Sequence, residues 1–154
     1  MALLKYILPI CKQEGTSLLY FGPSVLDAEC MTFLLRQESV HAAFVSGNTQ
    51  DVTRRKFIAE FKEKKLKILC NCEVLTTGFD APRVTHVVMA RPTVSQVLYE
   101  QMLGRGLCGK KFGGTESCTV IDCEDNYRAD RPRLGYQSFR EVWGRKKSNS
   151  SKVL

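Results

Sequence analysis

Ser17-Leu18-Leu19-Tyr20-Phe21-Gly22-Pro23-Ser24, residues 17–24, carries three structural instructions in eight positions. Ser17 to Phe21 is a short apolar and aromatic run that predicts a β-strand, and Gly22-Pro23 breaks it. Ser24 then offers a side-chain oxygen to the unpaired amides at the start of a helix. The apolar face predicted for that helix includes Val25, Ala28, Met31, Phe33 and Leu34. Strand, break and capped helix in succession form the unit from which parallel sheets are built, because two parallel strands need a crossover between them.

The same unit recurs on either side. His41 to Ser46 reads as a strand closing at Gly47, and the helix expected near Asp51 to Glu63 sets Phe57, Ile58 and Phe61 together, with basic residues on its other faces. The charged run Lys62 to Lys67 marks its end. Further strands are predicted at Leu66 to Cys72, Val84 to Ala90 and Cys118 to Asp122, rich in Val, Ile and Cys without clean alternation, as expected of strands covered on both faces. A helix is expected from Thr93, with a capping box to Gln96, to about Leu103. Leu3 to Lys12 reads as a short helix interrupted near Pro9. The fold class is therefore α/β, a mainly parallel sheet with helices on both faces.

A chain of 154 residues with 44% hydrophobic and 25% charged residues has the length and composition of one soluble domain. It contains no apolar run near the ~20 residues of a membrane-spanning helix and no signal-peptide pattern, so the expectation is a cytoplasmic protein without membrane contact. The seven cysteines lack the paired spacing of a zinc site, and His41 and His86 stand apart from them. No metal site is expected, and Cys70, Cys72, Cys118 and Cys123 read as small hydrophobes in strands.

The net charge of +7 is unevenly placed. From Arg128 onward there are eight basic and two acidic residues, leaving the rest of the chain at only +1. Residues 127–154 are thus read as a basic extension, partly helical and then disordered, behind a domain at 1–126. Its charge suits nucleic-acid phosphates, and it equally suits a solvated, frayed terminus. Tyr136, Phe139 and Trp143 within it read better as a docking helix than as a base-stacking surface.

In open parallel sheets ligands bind beyond the carboxyl ends of the strands, which directs attention to the segments just after each strand. Those segments are Phe21-Gly22-Pro23-Ser24, Ser46-Gly47-Asn48-Thr49, Leu75-Thr76-Thr77-Gly78-Phe79-Asp80-Ala81-Pro82 and, further on, Tyr99-Glu100-Gln101-Met102-Leu103-Gly104-Arg105-Gly106. All supply small residues that admit a close ligand, or hydroxyls and amides suited to phosphate oxygens.

Their order and spacing resemble superfamily 2 helicases. Gln-x-x-Gly-Arg-Gly-Leu at 101–107 is similar to motif VI of that family, and Thr-Thr-Gly-Phe-Asp-Ala-Pro at 76–82 to motif V. The motif V form is that of restriction-enzyme translocating subunits and DEAD/DEAH-box relatives. Leu-Leu-Tyr-Phe-Gly at 18–22 resembles motif IV, and Arg54 precedes Phe61 by seven residues, as in the family's helix between motifs IV and V. The similarity runs from about Ser17 to Asp125, most of the chain.

The resemblance implies the C-terminal, second RecA-like domain of a DEAD/DEAH-type helicase, one that closes over ATP and magnesium held by a preceding RecA-like domain supplied in cis or in trans. It implies that Gly78, Asp80, Gln101 and Arg105 face the nucleotide, with Arg105 in a catalytic role, since a guanidinium neutralises charge on a transferred phosphoryl group without titrating. It also implies backbone contacts to DNA or RNA from Gly22, Pro23, Ser46, Gly47, Thr76 and Thr77, with Arg54 nearby. Read alone, Asp80 is a turn residue and Gln101 a solvated helix position. Phe21, ending an apolar strand, reads as core rather than as a stacking residue.

Two features set expectations about activity. Motif VI in the family continues Gln-x-x-Gly-Arg-x-x-Arg, and Cys108 stands where the last arginine would be. Lys110 or Lys111 cannot reproduce a bidentate guanidinium there, so slow hydrolysis is expected. Secondly, the sequence has no GxxxxGK[ST] loop and no Asp-Glu-x-Asp/His segment after a strand. Gly104-x4-Gly109-Lys110 comes near the former, but Lys111 follows it, and it trails a helix instead of a strand. The isolated chain is expected to hold no ATP or magnesium and to be inactive alone. The other functional class is a non-catalytic nucleic-acid- or protein-binding module descended from a helicase.

Overall fold

The computed structural model describes residues 2–72, 74, 84–91 and 118–122. In chain order these form α1 (Ala2–Lys12), β1 (Leu18–Phe21), α2 (Val25–Gln37), β2 (Ala42–Val45), α3 (Asp51–Lys62), β3 (Ile68–Asn71), β4 (His86–Met89) and β5 (Thr119–Asp122). The strands make one sheet in the order β2-β3-β1-β4-β5, and each neighbouring pair is parallel.

Opposite faces of each strand feed opposite cores, because successive strand side chains alternate. Leu19 and Phe21 of β1, with Ala43, Val45, Leu69, Val87 and Met89, pack under α3 through Phe61, Phe57 and Ile58. Leu18 and Tyr20, with Ala42, Ile68, Cys70, Val88 and Ile121, pack under α1 and α2 through Ile7, Cys11, Ala28, Met31 and Leu35. The expected arrangement of helices on both faces is present. Both β1 faces are buried, which is why its sequence shows no polar alternation. Burial raises the Cys70 thiol to about 12 and the Cys11 thiol to about 11. That is how small apolar side chains, not reactive thiolates, behave.

Two local expectations need correction. Helix α1 runs unbroken through Pro9, held on both sides of it by Ile7 and Cys11, which are buried against the sheet. Tertiary packing there outweighs the hydrogen bond that proline cannot donate. In α2 the buried face is Ala28, Met31, Thr32 and Leu35, a clean i, i+3, i+4, i+7 stripe. Phe33 is instead 61% exposed, since its position falls outside that stripe, and Val25, the first residue of the helix, is 43% exposed. Thr32 enters the core because its hydroxyl donates to the Ala28 carbonyl at 2.8 Å, leaving no unpaired buried polar group. The expected Ser24 cap forms, its Oγ accepting from the Asp27 amide at 3.1 Å.

Both α2 and α3 end in the same way. Val40 N–H donates to the Leu35 carbonyl and Ser39 N–H to that of Arg36; at the end of α3, Lys65 N–H donates to Glu60 and Lys64 N–H to Phe61. These are Schellman caps, and their left-handed positions are filled by Ser39 at φ 61° and Lys64 at φ 62°. A side chain at such a φ costs about 1–2 kcal/mol, partly offset by the greater freedom glycine has in the unfolded chain. Lys64→Gly should therefore raise the urea midpoint, by a stability gain of about 0.5–1 kcal/mol, with no change in slope.

Candidate carboxyl-edge nucleic-acid interface

All five strands run the same way, so every strand delivers its C-terminal end to one edge of the sheet. Strand order decides which ends are neighbours. The ends of β1 and β2 are separated only by β3, about 10 Å at the usual strand spacing, and the chain after β3 leaves the sheet between them. The chain goes from β1 toward β2 and from β4 toward β5, so the two connections diverge in opposite directions between β1 and β4. That point is the topological switch, where ligands of open α/β sheets sit.

The edge is pinned by main-chain bonds. Gly22 N–H donates to the Asn71 carbonyl at 2.9 Å, and Ala90 N–H to the Phe21 carbonyl at 3.0 Å, extending the ladder one residue past β1 on both sides. Asn71, wholly buried, adds a bond from Nδ2 to the Tyr20 carbonyl at 2.9 Å. Phe21 is 2% exposed and belongs to the core, as its place at the end of an apolar strand suggested.

The two glycines of the sequence reading have different physical reasons for being glycine. A Cβ built on Gly22 would lie 3.0 Å from the Ala28 Cβ and 3.2 Å from the Tyr20 ring, so its smallness lets the first turn of α2 close onto β1. A Cβ on Gly47 would meet nothing within 4 Å. Gly47 and Asn48 are exposed at the tip of their turn, and Pro23 is exposed beside Gly22.

The loop after β2 is the most fully built part of the edge. Thr49 N–H donates to the Ser46 carbonyl at 3.1 Å, while Ser46 N–H donates to Thr49 Oγ1 at 2.9 Å, so the turn is closed from both sides. Ser46 itself is buried. Arg54 lies one turn into α3, and helical side chains tilt toward the helix N-terminus, which carries its guanidinium back over this loop. Its Nη2 lies 3.1 Å from the Ser46 carbonyl, 3.3 Å from that of Gly47 and 3.1 Å from that of Thr49. Nη1 pairs with Asp51 at 3.3 Å.

Of the residues singled out from sequence, the structure thus brings together Ser46 and Gly47 of one loop and the Arg54 side chain that reaches over it from α3, with Gly22 and Pro23 on the same edge of the sheet. Thr76, Thr77, Gly78, Asp80, Gln101 and Arg105 lie outside the described residues, as do Cys108, the helix expected from Thr93 and the extension at 127–154. Thr49 stands in the quoted segment without a role of its own, although a threonine three residues after Ser46 is the sequence signal of a side-chain-closed turn. Among the described residues no cluster of His, Cys, Asp or Glu could hold a metal, and no helix is long and apolar enough to cross a membrane.

A five-stranded parallel sheet covered on both faces, with its loops gathered at one edge, is a RecA-like α/β domain. The helicase conserved C-terminal domain matches residues 1–109, and the chain belongs to that family. It is 31% identical over 113 residues to the putative ATP-dependent helicase IRC3 of Saccharomyces cerevisiae, covering 72% of this chain and 16% of that protein. Over 68 residues it is 38% identical to the type I restriction enzyme EcoKI endonuclease subunit of Escherichia coli, covering 43% of this chain and 6% of that subunit. Both relatives are therefore far longer than this chain. Among solved structures, the C-terminal domain of the DEAD-box protein Dbp5 superposes with a TM-score of 0.67 at 19% identity, covering 99% of this chain and 80% of that one. A fragment of a putative HsdR subunit from Vibrio vulnificus gives 0.64 at 24% identity, covering 79% and 26%.

The glycine geometry predicts opposite outcomes for one substitution at two places. Gly22→Ala should lower stability by about 1–3 kcal/mol, as overpacking does. Gly47→Ala should leave it unchanged or raise it by up to about 1 kcal/mol through the unfolded state. Urea denaturation of the two variants checks both.

Proposed function

We propose that this chain is the C-terminal motor domain of an ATP-dependent DNA or RNA helicase or translocase, contacting the nucleic-acid backbone along the carboxyl edge of its sheet. The observation that carries the reading is the parallel topology, which directs the segments after β1, β2 and β3 to adjacent places on one edge in a chain of the helicase C-terminal family. Gly22, Pro23, Gly47, Thr76 and Thr77 belong to those segments, with Ser46 and Arg54 behind the exposed tip. Contacts of this kind go to phosphate and sugar and confer little sequence preference.

On this reading ATP is the substrate of a two-domain assembly. A preceding RecA-like domain, in cis or in trans, binds ATP with magnesium, and the present chain supplies Gly78, Asp80, Gln101 and Arg105 to the nucleotide cleft. Arg105 places positive charge against the phosphoryl group in transit, which lowers the barrier without proton transfer. Neither ATP nor magnesium is held by this chain alone. A non-catalytic binding module descended from a helicase is the second reading, favoured by Cys108 at the position of the second motif VI arginine.

The two readings separate in an assembly that joins this chain to an ATP-binding domain of its family. Single-turnover hydrolysis should be slow, should rise by ten-fold or more on Cys108→Arg, and should fall to background on Arg105→Ala, since an arginine at such a position contributes about 10³–10⁵ in rate. Hydrolysis that neither substitution changes, or that is absent even with Cys108→Arg, would support the binding module. Gly47→Ala should weaken single-strand binding while leaving stability intact, because the added methyl meets only an approaching backbone.

A further inference from the structure

We propose that Arg54 is a positioning residue for nucleic-acid binding: it draws the carbonyls of the loop after β2 inward and so presents that loop's amides to a phosphate. The proposal rests on the reading of this edge as a nucleic-acid interface and assigns Arg54 a part in it that a direct phosphate contact would not give.

The Nη2 atom carries two hydrogens and lies within hydrogen-bond distance of three carbonyls, those of Ser46, Gly47 and Thr49. Nη1 is engaged by Asp51. Nε is buried and has no hydrogen-bond partner among the described residues. Bidentate recognition of a phosphate needs two parallel N–H groups of the guanidinium fork aimed outward. Here Nη2 is saturated by main chain and Nε is enclosed, so the fork is not offered to solvent.

The effect on the loop follows from peptide geometry. Among the described residues no peptide bond is cis, and in a planar trans peptide the N–H points away from its C=O. Three carbonyls turned toward Arg54 therefore turn the next three amides, of Gly47, Asn48 and Gln50, away from it. None of those amides donates a hydrogen bond among the described residues, and Gly47, Asn48 and Gln50 are all exposed. Without the guanidinium, the three convergent carbonyl dipoles would repel one another and the loop would lose that orientation. Thr49 fastens the same turn independently, its Oγ1 accepting from Ser46 N–H.

The test uses the full 154-residue chain and labelled single-stranded oligothymidylate and oligouridylate, titrated across a salt series. Arg54→Ala and Arg54→Lys should weaken binding to a similar extent, roughly tenfold, the scale of one charge-assisted hydrogen bond. The slope of log K against log[salt] should stay that of the parent in both variants. Thr49→Val, which removes no charge, should weaken binding in the same manner, and urea midpoints establish that each variant tested is folded. A direct phosphate contact predicts another pattern: Arg54→Ala makes the slope shallower by about 0.7, while Arg54→Lys keeps both slope and most of the affinity. That pattern, or unchanged affinity in folded Arg54→Ala and Thr49→Val, overturns the proposal. Failure of the parent chain to bind either strand overturns the interface reading and this inference with it.

Discussion

The structure depends on β1 being hydrogen-bonded on both sides over its whole length. Leu18 to Phe21 pairs in register with Ile68 to Asn71 on one side and with His86 to Met89 on the other. A strand so enclosed presents no free edge, and both of its faces must be apolar. The consequence for function is directional. With β1 central and every neighbour parallel, each strand delivers its C-terminal end to the same edge.

Much of this was legible because the responsible physics is local. The Phe21-Gly22-Pro23-Ser24 sequence dictates a strand end, a break and a helix cap within four positions, and the cap forms as read. All five strands appear where apolar runs rich in Val, Ile, Leu and Cys predicted them, shortened by a residue or two at their ends. The misreadings came where tertiary packing decides. Pro9 suggests a break to any local rule, yet Ile7 and Cys11 are held against the sheet from both sides of it. Phe33 looks like core by composition, but its angle on α2 turns it outward, whereas Thr32, polar by composition, is buried with its hydroxyl satisfied by the preceding turn.

The candidate site shows the same division. The family resemblance put Arg54 near the loop after β2 but carried no information about the direction of its guanidinium, which is set by the tilt of side chains along α3 and by three carbonyls 3.1–3.3 Å away. Nor could it separate Gly22 from Gly47. The first is glycine because α2 packs against it, and the second has open space around it. Motifs V and VI were legible only as a resemblance, since read alone Asp80 is a turn residue and Gln101 a solvated helix position, and nothing local to Gly78 or Arg105 marks a common ligand.

The central claim is that nucleic acid lies along the carboxyl edge of the sheet. Amide chemical-shift mapping of the isotopically labelled chain with an unlabelled oligothymidylate tests it most directly. The account predicts that among the described residues the largest shifts fall on Gly22, Gly47, Asn48 and Gln50. Shifts concentrated instead at the opposite edge, on Gly15, Ser39 and Lys64 to Lys67, or confined to the basic residues after Arg128, would contradict it.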